Sequence, residues 1–145
     1  MPVRIWKTAK TSLAVGTDIY AQGDALGTKV SIAVPDSGII RAVAITDVDD
    51  EASVVVNVYL FESEPAGIAA NAAFALADAD LELLQGAVQI DVEFDAIDGR
   101  LHYNTVNVPY RTKGGLLWLQ CEIEDSATPT FTATTDVKIQ LLIEW

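Results

Sequence analysis

Apolar and polar residues alternate with a period of two along several stretches of this chain, most regularly at its C-terminal end. In residues 137–145, Val137, Ile139, Leu141, Ile143 and Trp145 share one face, while Lys138, Gln140 and Glu144 share the other. Only Leu142 interrupts the pattern. A half-buried strand has this period, so Trp145 is expected to close its inward face. Residues 117–124 repeat the pattern, with Leu117, Leu119, Cys121 and Ile123 inward and Gln120, Glu122 and Glu124 outward. Residues 88–94 do so again, with Val88, Ile90, Val92 and Phe94 on one side of a single predicted strand. Residues 54–61 are apolar on nearly both faces and read as a strand covered on both sides. Further strands are predicted at 3–7, 29–34, 39–48 and 101–108. Turn signals separate them: Pro35-Asp36-Ser37-Gly38, Asp49-Asp50, Asp98-Gly99 and Lys113-Gly114-Gly115. Asp98-Gly99 between two alternating runs is a hairpin signal. The Ala- and Leu-rich stretch 69–84 breaks the period. It predicts a short helix over Asp78–Leu84 with Asp78 as its N-cap. The resulting fold class is all-β, an antiparallel β-sandwich or jelly-roll-like domain with one short helix.

The chain of 145 residues is the size of one domain. No apolar run approaches the ~18 residues of a membrane span, and no signal-peptide core opens the chain. The charge is strongly acidic at −12, which opposes binding to nucleic acid through its phosphates. That charge is unevenly placed. Residues 1–17 carry Arg4, Lys7 and Lys10 and no acid, for +3; residues 18–145 carry −15. The chain therefore divides into a basic N-terminal arm or first strand (1–17) and a single β-sandwich domain (18–145). Arg4, Trp6, Lys7 and Lys10, with Val3, Ile5 and Leu13 beside them, are candidates for contact with an acidic partner or a second subunit. Trp118 lies on the outer phase of its strand and is a further interface candidate.

Candidates for chemistry are few. One Cys and one His exclude an internal disulfide and the common zinc sets. His102 lies inside a predicted strand and reads as an ordinary half-exposed residue; no Gly-x-Ser-x-Gly elbow presents a serine to it. Cys121 alternates with Leu119 and Ile123, so it reads as a small core residue. The acidic run Asp47-Val48-Asp49-Asp50-Glu51 could gather carboxylates around calcium, but it lacks the EF-hand pattern and also suits a solvated turn. Phosphate-binding glycine loops are absent. The expectation is a protein that is not an enzyme and needs no cofactor, metal or small-molecule substrate.

The order of features resembles a family of small structural proteins from tailed-bacteriophage virions. The matching elements are residues 18–27 (DIYAQGDALG), 37–47 (SGIIRAVAITD), 54–65 (VVVNVYLFESEP), 70–86 (ANAAFALADADLELLQG) and 88–94 (VQIDVEF). Within them, Leu60-Phe61 leads to Pro65, to Asn71 and to Asp78-Ala79-Asp80-Leu81. Ala70 stands where such proteins often have Asp. The likeness weakens after Val108. These motifs are turns and core positions, so the resemblance implies a fold and a provenance and carries no catalytic residue. It implies a capsid decoration or cement subunit on the outer surface of the head, a homotrimer bound to the major capsid protein. A neck, tail or baseplate component, or a carbohydrate-binding β-sandwich, would look alike at this level.

Overall fold

Strands form where the alternation places them, and the core lies where their apolar faces meet. In the computed structural model, which describes residues 2–49, 54–95 and 99–145, the elements are β1 (Ile5–Lys7), β2 (Thr11–Ser12), β3 (Ala25–Ala33), β4 (Ser37–Asp47), β5 (Val56–Phe61), α1 (Asp78–Leu83), β6 (Leu84–Ile90), β7 (Val92–Asp95), β8 (Arg100–Arg111), β9 (Leu116–Ile123) and β10 (Val137–Glu144). The first sheet has the order β1-β10-β4-β8-β7, with β2 also paired to β10; the second has the order β3-β9-β5-β6. All pairings among the named strands are antiparallel. The fold is an all-β sandwich with one short helix.

Between the sheets, Ile40, Val43 and Ile45 of β4 and Ile139, Leu141 and Ile143 of β10 face Val58 and Leu60 of β5 and Leu117, Leu119, Cys121 and Ile123 of β9; all are buried. Burying each of the larger side chains contributes about 1.5–3 kcal/mol, so these strands carry the stability. Residues 4–15 belong to the same body. β1 and β2 are hydrogen-bonded along β10, and Leu13 and Val15 are fully buried. Pro109 sits inside β8 without breaking it, because β7 flanks β8 only from Arg100 to Tyr103 and, among the described residues, leaves the far side of Pro109 unpaired.

Several expectations need correction. Residues 88–94 are two strands in different sheets. Val88 and Ile90 are buried, but the chain changes sheet at Asp91 and leaves Val92 and Phe94 exposed. Alternation reports the faces of a strand and is blind to which sheet it joins. Ala77 occupies the N-cap of α1 with no side-chain cap, and Asp78 is already helical. The helix ends at Leu83 and passes directly into β6. Trp145 follows the last residue of β10 at the rim of the sandwich and is 42% exposed, so it does not close the core. Gln120, expected in solvent, is fully buried. The hairpin signal at Asp98-Gly99 falls partly outside the described residues, although β7 and β8 on either side of it are paired as predicted.

The burial of Gln120 has a local cause. Residues 62–77 fold back over the outer face of the second sheet. Gln120 Nε2 donates to the carbonyls of Ile68 (2.6 Å) and Gly27 (3.3 Å), and its Oε1 accepts from Ile68 N–H (3.0 Å). From α1, the buried Asp80 carboxylate accepts from the N–H groups of Ala66 (2.7 Å) and Gly67 (3.2 Å). Phe74 stacks on Tyr59 with ring centroids 4.7 Å apart. Asn71 adopts a left-handed conformation (φ 61°) and its Nδ2 donates to the Ile19 carbonyl, tying this loop to residues before β3.

Candidate functional site

The structure brings Arg4, Trp6, Lys7 and Lys10 to one edge of the first sheet. β1 is the terminal strand there, in register with the end of β10: Ile5 opposite Glu144, Trp6 opposite Ile143, Lys7 opposite Leu142. Main-chain bonds in both directions between Arg4 and Trp145 (3.0 and 3.1 Å) prolong the ladder. This register brings Trp6 and Trp145 together edge to face, with ring centroids 6.1 Å apart and planes at 76°. Trp6 remains 37% exposed. With Ala33, Val34 and Pro35, the two indoles line a shallow apolar depression of about 380 Å³ at the rim. Exposed aromatic pairs of this kind supply large contact area at little cost in side-chain freedom.

Lys7 and Lys10 border a second concavity of about 310 Å³, on the outer face of the first sheet. Its floor is low because Ala42, Ala44 and Thr46 of β4 are small; Leu101 and Tyr103 form one wall and Gln140 and Leu142 the other. Trp118 lies elsewhere, on the outer face of the second sheet between Ser31 and Phe61 of the neighbouring strands. It is half-buried. Lys29 Nζ stands 5.8 Å from its ring centroid, held there by Glu64 (3.0 Å) and the Pro65 carbonyl (2.8 Å). Trp118 therefore does not join the β1 edge. The partners of that edge that sequence reasoning missed are Trp145, Val34 and Pro35. They come from the ends of distant strands, and the alternation of residues 137–145 assigns Trp145 to the core.

The residues considered for chemistry are committed to the fold. His102 is 4% exposed, not half-exposed, because its strand turns that side toward the other sheet. Burial lowers its pKa from 6.5, opposed by Glu93, whose Oε2 is 3.8 Å from Nδ1. Glu93 also pairs with Arg100. Burial pushes the Cys121 thiol up to about 12, which leaves it protonated and unreactive at neutral pH. Asp47 Oδ1 accepts from Asp49 N–H (2.8 Å), and Asp49 and Asp136 both accept from Thr132; Asp50 and Glu51 lie outside the described residues. Among the described residues no cluster of three or more His, Cys, Asp or Glu could hold a metal ion.

A pH dependence follows from His102. Its folded-state pKa lies below 6.5, so the unfolded chain binds a proton that the folded chain resists. Stability is therefore expected to be full above about pH 6.5 and to fall as the pH drops below it. Urea midpoints between pH 7.5 and 5.5 should decline in the natural protein and decline less in His102→Gln. Equal slopes would show that His102 does not cause the acid sensitivity.

No protein-family profile matches this chain, and no curated protein matches it. A similar solved structure is that of TmCBM61 in complex with β-1,4-galactotriose. It is 7% identical, with a TM-score of 0.34, and the match covers 98% of this chain and 84% of that one. At that identity and score no function passes from one to the other.

Proposed function

We propose that this chain is a virion structural protein of a tailed bacteriophage: a capsid decoration or cement subunit. It binds the major capsid protein on the outer surface of the head and associates with copies of itself, as a homotrimer. It acts by contact alone, without catalysis or cofactor. The observation that carries this reading is the half-exposed Trp6–Trp145 corner beside the basic N-terminal segment of a strongly acidic chain. The succession of turn and core motifs from Asp18 to Phe94 supports the same provenance. A body of charge −15 stays soluble and is repelled by packaged DNA, which suits an exterior position. Arg4, Lys7 and Lys10 lower the repulsion between this body and an acidic shell at the point of contact. Exposed ion pairs contribute only about 0.2–1 kcal/mol each, so these charges govern association rate and salt dependence. The indoles supply most of the binding energy.

Binding of the purified protein to heads that lack it tests this reading. Trp6→Ala and Trp145→Ala should each weaken binding by roughly 30-fold, the equivalent of about 2 kcal/mol for a buried aromatic anchor. Lys10→Glu should slow association at low salt and have little effect at high salt. Unchanged binding by both tryptophan variants, with their melting intact, would overturn it.

A further inference from the structure

The first sheet ends in two strands that are paired on one flank only among the described residues, β1 and β7. Open strand edges invite pairing with another chain. We infer that these two edges bind each other between copies of the protein, head to tail, so that the first sheet continues from one copy into the next.

Three features of the edges are complementary. The apolar residues lie on the same face. Ile5 is opposite Glu144 and on the other side of its strand from Trp6, which pairs with the buried Ile143, so Ile5 and Val3 point outward. Val92 and Phe94 are opposite Tyr103 and Leu101, which line the outer groove of the same sheet. All four are exposed in the single chain: Val3 64%, Ile5 68%, Val92 43% and Phe94 56%. Joining the edges places Val3 and Ile5 beside Val92 and Phe94 on one continuous surface, where neighbouring side chains cover part of each other's apolar area.

Charge selects which edges meet. Residues 2–7 carry Arg4 and Lys7 and no acid, whereas residues 91–95 carry Asp91, Glu93 and Asp95 and no base. Glu93 is already paired with Arg100, so the exposed Asp91 is the acid best placed to meet Arg4 of a second copy. A two-fold dimer through β1 sets basic residues against basic ones, and one through β7 sets acidic against acidic. Only the head-to-tail arrangement brings opposite charges together.

Direction also constrains the contact. Strands alternate across the sheet, so β1 and β7 run the same way and meet in parallel. A head-to-tail interface closes into a ring when its rotation closes, and otherwise forms an open row. The trimer proposed above is one such ring, but this inference concerns the purified chain and holds or fails whether or not a phage head is its destination. The Trp6 and Trp145 side chains lie at the rim and stay available to another partner.

Sedimentation velocity of the full chain, over a concentration series at low and high salt, tests the inference. The natural protein should form species larger than a monomer whose dissociation constant rises with salt. Arg4→Asp and Asp91→Lys should each weaken self-association roughly tenfold by turning attraction into repulsion. The chain carrying both changes should recover it, since acid and base have only exchanged edges. Phe94→Ser should weaken association at every salt concentration. All three residues changed are exposed, and unchanged circular dichroism and melting will confirm that each variant folds. A natural protein that stays monomeric at all concentrations, or an oligomer indifferent to both charge reversals, would overturn the inference. So would a double variant no better than either single one.

Discussion

Deleting residues 2–13 is expected to unfold the sandwich and not merely to remove a contact. Leu13 is fully buried, and its N–H donates to the Val137 carbonyl (3.0 Å) while its carbonyl accepts from Thr28 N–H (2.9 Å). It thus bridges β10 of one sheet and β3 of the other. Emptying a buried leucine site alone costs about 2–5 kcal/mol. The deletion also strips the hydrogen-bonded edge of β10. Together these approach the 5–15 kcal/mol by which a domain of this size is usually stable. Gly27 probes the same junction from the opposite side. It adopts φ 79°, and a Cβ placed there would stand 2.0 Å from the Leu13 carbonyl oxygen. Gly27→Ala must therefore force β3 and the N-terminal leader (residues 2–13) apart, at a cost of about 3–5 kcal/mol from strain and overpacking combined. Both variants should lose cooperative thermal unfolding or melt far below the natural protein. A truncated chain that melts like the full one would show that the leader is dispensable. For this reason binding by the leader is best tested with point substitutions.

Asp80→Ala is expected to cost about 2–4 kcal/mol, a large effect for a residue on a six-residue helix. The carboxylate is 3% exposed and accepts from two main-chain N–H groups of the loop that covers the second sheet. Truncation leaves both donors in a dry site with nothing to bond. Because hydrogen bonds to a charged acceptor are stronger than neutral ones, Asp80→Asn should recover only part of the loss. The measurement is the urea midpoint, together with limited proteolysis between residues 62 and 77. A lower midpoint and faster cleavage in that loop are expected. A midpoint within error of the natural protein would show that Gln120 and the Tyr59–Phe74 stack hold the loop unaided.

Where a strand has the core on one side and water on the other, its sequence says so. β10 and the inward phase of β9 were legible for that reason. Gln120 misled because its outward side is roofed by residues 62–77, and a glutamine that satisfies a loop reads the same as one in solvent. His102 misled in the opposite sense: a single polar residue between Leu101 and Tyr103 looks half-exposed until the sandwich closes over it. Val92 and Phe94 kept the period while the chain changed sheet. Of the candidate surface, the basic run with Trp6 was visible as charge and aromaticity close together in sequence. Trp145, Val34 and Pro35 were not, since only the pairing of β1 with β10 and the packing of two sheets bring them to Trp6. The β7 edge was hidden by the same change of sheet.

The proposed function puts this chain on the outside of a phage head. It is tested most directly by counting its copies in purified intact particles by quantitative mass spectrometry, with antibody labelling to locate them. On the order of hundreds of copies are expected, on the head surface, as a symmetric shell requires. About a dozen or fewer, confined to the neck, tail or baseplate, or none at all, would contradict it.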